Sequence, residues 1–205
     1  VSEVQPGLFD AEDTEVDTTF ASARRIRLDE HSWVEHVPGW LTGAGELFGE
    51  LLGTAGWEQR RRWMHGREVL EPRLTATYPG LAAAPYPLLH EMGRVLSDRY
   101  DVAFDGVWIN LYRDHRDSTG WHGDAATCRR RECVVPVLTL GAARRFLLRP
   151  AEGGASTALA PLPGDLVVMG GRCQSEWRHS VPKQQVAVGP RISVNFSASE
   201  QGVVD

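Results

Sequence analysis

Asn110-Leu-Tyr-Arg-Asp-His-Arg-Asp-Ser-Thr-Gly-Trp-His-Gly-Asp124 ends in a His-x-Asp pair, His122 and Asp124. Residues two apart on a strand point to one face, so an imidazole nitrogen and a carboxylate oxygen can reach one ion from the same strand edge. A distant second histidine would complete a 2-His-1-carboxylate triad, which fills one face of an octahedron and leaves the opposite positions open. Arg178-His179 supplies that candidate, His179. His-x-Asp alone is a short motif that recurs by chance, and a lone histidine or aspartate is more often a hydrogen-bonded loop residue.

The pair has company. Asn110 and Tyr112 form an Asn-x-Tyr pair ahead of it, and Arg191 follows His179 by twelve residues. Around these lie Pro72-Arg73, Ala76-Thr77-Tyr78, Leu140-Gly141 followed by Phe146, Gly164-Asp165-Leu166-Val167-Val168-Met169, His179-Ser180-Val181-Pro182 and Pro190-Arg191. In this order the pieces resemble the AlkB family of Fe(II)/2-oxoglutarate-dependent dioxygenases, of the bacterial nucleic-acid repair type, over roughly residues 70–197.

The resemblance implies a mainly β fold with support helices (α+β), a double-stranded β-helix or jelly roll carrying an N-terminal nucleotide-recognition lid. It implies oxidative demethylation of alkylated bases, releasing formaldehyde, succinate and CO2. His122, Asp124 and His179 would hold Fe(II), with 2-oxoglutarate and O2 as co-substrates. Asn110, Tyr112, Arg191, Ser193 and Asn195 would surround 2-oxoglutarate, with Arg191 on its distal carboxylate, where a bidentate guanidinium contact is the fitting partner for a buried acid. Arg73 and Tyr78 fall in the lid segment, where an aromatic face can stack on an extruded base. Trp57 and Trp63 are further stacking candidates, with ordinary packing in core or lid as the alternative for each.

Three positions depart from the family pattern. The second acid that often follows His-x-Asp is Ala126 here, and Ser156–Ala160 carries no base-contacting arginine. The closing strand reads Arg191-Ile-Ser193-Val-Asn195-Phe196-Ser197, with serine where the family usually ends on an arginine. Losing one charge-assisted hydrogen bond costs about 1.5–3 kcal/mol of co-substrate affinity. These departures keep open a diverged oxygenase acting on RNA, protein or a small metabolite, and, outside enzymes, a binding module with a vestigial site.

Length and composition fit this reading. At 205 residues the chain suits one domain, residues 21–205, with a lid near 55–85 and a jelly-roll core near 105–198. It shows no apolar run of membrane-spanning length and no basic-then-apolar leader, so the expectation is a cytoplasmic monomer without membrane contact. Cys128, Cys133 and Cys173 are odd in number and irregular in spacing, which predicts buried thiols and neither a disulfide framework nor a zinc knuckle.

The formal charge is −5, but residues 1–20 hold six acids and no base, so the remainder sets 22 bases against 21 acids. Arginine supplies all the bases but Lys183. Arg60-Arg61-Arg62 and Arg129-Arg130-Arg131 could follow a phosphate backbone, although a solvated charged face explains either run equally well. The partner expected is alkylated DNA, single- or double-stranded, or RNA. Residues 1–20 read as a disordered acidic tail. Within it Gln5-Pro-Gly-Leu8-Phe9 has the shape of peptides that dock on the bacterial sliding clamp, with an inert tail as the alternative; equal clamp retention after Leu8→Ala/Phe9→Ala would rule docking out.

Residues 24–36 read as a strand followed by a short helix start. Leu47, Phe48, Leu51 and Leu52 predict a helix over Ala44–Leu52, and the spacing of Leu88, Leu89, Met92, Val95, Leu96 and Tyr100 predicts another over Leu88–Tyr100. Short β-type runs follow at Val107–Tyr112, Cys133–Leu140, Arg145–Arg149, Asp165–Met169 and Arg191–Ser197. Periodicity leaves barrel and sandwich open; the resemblance selects the jelly roll.

Overall fold

The computed structural model describes residues 13–64, 66–124 and 128–202. The elements are β1 (Arg24–Arg27), β2 (Ser32–Val37), α1 (Ala44–Thr54), β3 (Arg61–Met64), β4 (Arg67–Leu70), β5 (Leu74–Tyr78), α2 (Pro87–Tyr100), β6 (Gly106–Tyr112) and β7 (Thr119–His122). The chain continues through β8 (Val135–Gly141), β9 (Phe146–Pro150), β10 (Thr157–Leu159), β11 (Leu166–Gly171), α3 (Cys173–Glu176), β12 (Trp177–Val181), β13 (Arg191–Ser197) and α4 (Ser199–Gly202).

Seven strands form a major sheet in the order β1-β2-β11-β8-β13-β6-β5, and four form a minor sheet, β10-β9-β12-β7. Two antiparallel sheets facing one another, with the chain crossing repeatedly between them, make the expected jelly roll. The β3–β4 hairpin stands apart as a third, two-stranded unit.

The two-residue period of the central strands explains why a site can sit between the sheets. On β13, Ile192, Val194 and Phe196 belong to the helix-side core, while Arg191, Ser193 and Asn195 line the inner cavity. On β6, Val107, Ile109 and Leu111 face the same helix-side core and Trp108, Asn110 and Tyr112 face the cavity. One face is therefore glued to α1 and α2 by burial of branched and aromatic side chains, and the opposite face is free to be polar. Leu47 and Leu51 of α1, and Leu89, Met92 and Leu96 of α2, complete that core. Pro87 opens α2, where its missing N–H costs nothing, and Asp101 ends it in the left-handed region at φ 54°. At the end of β8, Gly141 at φ +73° leaves room for the Phe48 ring, which lies 2.5 Å from where a Cβ would stand.

The five predicted strands fall on β6, β8, β9, β11 and β13, and the two predicted helices on α1 and α2. Three local expectations are corrected. The helix start near residue 30 is a β-hairpin instead: Asp29 Oδ1 accepts the N–H groups of His31 and Ser32, each at 2.7 Å, and turns β1 back along β2. The acidic tail does not run loose to residue 20, because Val16 bridges Leu41 and Phe20 packs by its ring on Trp40 and Tyr100. Two apolar anchors four residues apart outweigh the surrounding charge there. Cys128 and Cys133 are joined in a disulfide, and Cys173 alone is a free buried thiol. The Gln5–Phe9 motif and Ala126 lie outside the described residues. Among the described residues no helix is long and apolar enough to cross a membrane.

Candidate metal centre and its cavity

β7 and β12 run side by side with His122 opposite His179, so one rung of the ladder places the two imidazoles 4.1 Å apart between ring centroids. Asp124 completes the cluster: Oδ1 is 3.5 Å from His122 Nε2 and Oδ2 is 3.4 Å from His179 Nε2. One ligand atom from each residue lies within 4.8 Å of the others, which suits a single ion with two nitrogen donors and one oxygen donor. The His122 ring is held from behind. His122 Nδ1 lies 2.8 Å from the Gly120 carbonyl oxygen, a contact that assigns the proton to Nδ1 and leaves the Nε2 lone pair toward Asp124.

His122 ends β7, and Asp124 lies beyond it, so the two do not share one regular strand face. A tight turn brings Asp124 back instead. A Cβ on Gly123 would stand 2.4 Å from the Gln174 carbonyl oxygen, so only glycine lets the turn approach α3 this closely. The Asp124 N–H donates to Gln174 Oε1 at 2.8 Å. Gln174 escaped sequence reasoning, since a buried amide on a four-residue helix leaves no periodic signal.

His179 is buried between His122 and Phe146, the latter ring at 5.4 Å. Burial pushes its imidazole down to about 4 against the pull of Asp124, so its nitrogen is unprotonated near neutral pH. Burial alone would raise the Asp124 carboxyl, but His179, His122 and Arg73 together hold it below its ordinary value.

The cavity floor is built by three rungs between β13 and β6: Arg191 with Tyr112, Ser193 with Asn110, and Asn195 with Trp108. Arg191 is 1% exposed, and its Nη2 donates to Thr139 Oγ1 at 3.1 Å. Its Nε and Nη1 are buried without a hydrogen-bond partner among the described residues. A buried guanidinium with unused donors is costly to hold, and an anionic ligand removes that cost. Tyr112 flanks it, with its ring centroid 5.4 Å from the guanidinium carbon. The cavity, about 410 Å³, brings Arg191, Tyr112, Asn110, Ser193 and Asn195 together with His122, Asp124 and His179. Its size lies within the range of sites for small ligands.

Asn110 is oriented by its neighbours: its Oδ1 accepts from Thr75 Oγ1 at 3.1 Å and from Arg73 Nε at 3.2 Å. Asn195 is tied down, donating Nδ2 to the Trp108 carbonyl at 3.0 Å. Arg73 sits in the cavity wall. Its Nη1 donates to Thr119 Oγ1 at 3.0 Å and its Nη2 pairs with Glu71 at 3.0 Å. Thr119 Oγ1 in turn lies 2.9 Å from the Tyr112 hydroxyl, so Arg73 reaches both members of the Asn-x-Tyr pair.

The other base-contact candidates disperse. Tyr78 packs edge-on against Tyr86 at 5.8 Å and lines a second cavity, about 290 Å³, with Trp108, Asp124 and Ser197. Trp63 is 73% exposed on the β3–β4 hairpin. Trp57 packs against the helix-side core and donates Nε1 to the Leu52 carbonyl at 3.3 Å; it lines neither cavity, which makes it a packing residue. Arg60, Arg61 and Arg62 line the first cavity from the lid side. Thr119, Trp108 and Phe146 also line it. Of these, only Phe146 stood within a family motif.

Residues 50–196 match the 2OG-Fe(II) oxygenase superfamily. The human alpha-ketoglutarate-dependent dioxygenase alkB homolog 3 is 32% identical over 72% of this chain and 58% of its own length. The bovine homolog 3 is 31% identical over 78% of this chain and 63% of its own length. Human DNA oxidative demethylase ALKBH2 is 28% identical over 60% of this chain and 51% of its own length. The chain thus spans less than two thirds of these relatives. Among solved structures, that of OsALKBH1 aligns with a TM-score of 0.60 at 11% identity, over 85% of this chain and all of the other. A 2OG-Fe(II) oxygenase-family oxidoreductase from Burkholderia pseudomallei aligns at 0.51 with 18% identity, over 74% of this chain and 76% of that one. Both likenesses concern the fold.

Proposed function

Because the chain belongs to the 2OG-Fe(II) oxygenase superfamily, among its AlkB-like members, we propose that it removes alkyl groups oxidatively from bases in nucleic acid. The observation that carries this reading is the buried Arg191 guanidinium, with two unused donors, in the same cavity as the His122, Asp124 and His179 cluster. A dicarboxylate with one acid on Arg191 and its 2-oxo acid end toward the cluster satisfies both halves of the cavity.

The residues fit the implied groups. His122, Asp124 and His179 would hold Fe(II), and Arg191, Tyr112 and Asn110 would hold 2-oxoglutarate. When bound, the metal with 2-oxoglutarate and O2 supplies the oxidising power that hydroxylates an N-alkyl carbon, after which the hydroxylated group leaves as an aldehyde. The chain's own contribution is geometric. The neutral imidazole of His179 and an ionised Asp124 keep these two donors ready at neutral pH. Arg73, through Asn110 and Thr119, fixes the polar wall, and Phe146 and Val137 line the apolar side. A base must leave its stack to reach the cluster, and Arg60, Arg61 and Arg62 at the rim offer positive charge to its phosphates.

The test is formaldehyde release from N-methylated oligonucleotides, single- and double-stranded, DNA and RNA, against unmethylated controls. The reading expects release that depends on methylation and disappears in Asp124→Ala. Turnover of 2-oxoglutarate to succinate without formaldehyde on every oligonucleotide would move the substrate outside nucleic acid.

A further inference from the structure

The inner face of the minor sheet carries the metal cluster, and its outer face carries an arrangement that the cluster does not use. β9 and β12 pair with Arg149 directly opposite Arg178. Like charges opposite one another across a ladder are destabilising unless something binds between them. Neither guanidinium has a carboxylate partner among the described residues. Among the described residues Arg178 Nη1 donates to the backbone carbonyls of Ser175, at 3.1 Å, and Trp177, at 2.7 Å, and Arg149 Nε is buried without a hydrogen-bond partner. Glu176, the last residue of α3 and just ahead of β12, is taken by Arg172 at 3.3 Å.

Trp121 joins the pair from β7. The Arg149 guanidinium reaches across β12 and lies 4.2 Å from the centre of the Trp121 ring, which props the fork in a fixed plane. Trp121 is 36% exposed and immediately precedes His122. Arg178 lies at the rim of the site itself: its Nη1 is 3.5 Å from where Gly123, between His122 and Asp124, would carry a Cβ. The alternation of strand side chains makes this a companion of the metal site, with Trp121 and Arg178 each one residue from a cluster histidine on β7 and β12.

We propose that Arg149 and Arg178, with Arg149 propped by Trp121, form a phosphate cradle beside the cluster for the nucleic-acid strand that carries the reacting nucleotide. The proposal rests on the nucleic-acid reading above and adds a second backbone grip to it. Two planar forks on a rigid ladder suit phosphodiester oxygens, which accept paired N–H donors. A strand gripped beside the cluster is held next to it, so a single extruded base can face His122, Asp124 and His179.

The experiment is binding of an unmodified, fluorescently labelled single-stranded oligonucleotide, by anisotropy over a range of salt. Wild-type protein is compared with Arg149→Gln/Arg178→Gln and with Arg149→Lys/Arg178→Lys. Affinity in the glutamine variant is expected to fall about tenfold or more. The slope of log affinity against log salt is expected to flatten by roughly 0.7 to 1.4, the loss of one or two phosphate contacts on a single strand. The lysine variant keeps most of the salt slope. Calorimetric 2-oxoglutarate affinity of the metal-loaded protein stays at the wild-type value in both, which shows the fold and cluster intact. An oligonucleotide that binds wild type and the glutamine variant with equal affinity and slope would overturn the cradle and leave the demethylation reading standing. Absence of salt-dependent oligonucleotide binding by the wild type would overturn both.

Discussion

Arg191 is the residue on which the cavity's chemistry turns, because it keeps two buried donors for a ligand that the protein itself does not supply. Replacing a buried, incompletely paired charge by an apolar side chain of similar size is often neutral or stabilising to the fold. Arg191→Leu is therefore expected to weaken 2-oxoglutarate binding about a hundredfold or more, while the metal-free protein melts at an equal or higher temperature. Calorimetry with thermal denaturation checks both; a lower melting temperature with unchanged affinity would make Arg191 a structural residue. Ser197 marks the other end of the same strand. It lines the second cavity with Asp124 and stands beside Gly106, where a Cβ would be 2.7 Å from its Oγ. Ser197→Arg returns the cation that the family pattern places there, and should tighten 2-oxoglutarate tenfold to a hundredfold, about 1.5–3 kcal/mol. An unchanged dissociation constant would mean that the wall already supplies that contact by another route, with Arg73 the candidate.

At the scale of elements, the site depends on short pieces that carry little periodic signal. Strand β13 was legible from residue 191 to 197 because its apolar residues alternate with polar ones, and α2 because its leucines recur at helical spacing. The hairpin β3–β4, the four-residue α3 and strand β7 were not, since each is too short to show a period and is set by contacts from distant residues. Gly123 illustrates this: its need to be glycine comes from Gln174, 51 residues away in sequence. Gly123→Ala is expected to reduce metal affinity by at least tenfold, read by competition with a chelator, with the melting temperature of the metal-free protein little changed. The loop leading into β7 is held similarly. Asp117 accepts Arg113 Nε at 2.8 Å, Arg113 Nη2 at 3.0 Å and the Arg113 N–H at 2.8 Å. Burial raises the Asp117 carboxyl, but the Arg113 contacts outweigh it and leave the group below its ordinary 3.8. Stability from this loop is present above the unfolded carboxylate range and is lost as pH falls through the lower, folded value. Asp117→Asn should cost about 1–3 kcal/mol at pH 7, and the difference from wild type should shrink in acid. A constant difference from pH 7 to pH 3 would place the effect outside titration.

Across the whole molecule, the jelly roll divides its labour by face. Helices glue one side of the major sheet, and the opposite side meets the minor sheet around a polar cavity. The metal and co-substrate residues named from the sequence meet there, because strand order brings β13, β6, β7 and β12 to one cavity. Base recognition was less legible. Arg73 belongs to the cavity wall, Trp57 to the core, and Trp63 to the exposed hairpin, since lid geometry is decided by loops whose residues carry no fixed spacing. On the proposed function, one cavity couples 2-oxoglutarate consumption to oxidation of an alkylated base. This coupling is tested most directly by a single turnover: protein loaded anaerobically with Fe(II), 2-oxoglutarate and an N-methylated oligonucleotide, then exposed to oxygen, with succinate and formaldehyde both quantified. Coupling requires the two products in equal amounts from the wild type and neither from His122→Ala or Asp124→Ala. Succinate and formaldehyde from those variants at wild-type yield, or no succinate from the wild type, would contradict it.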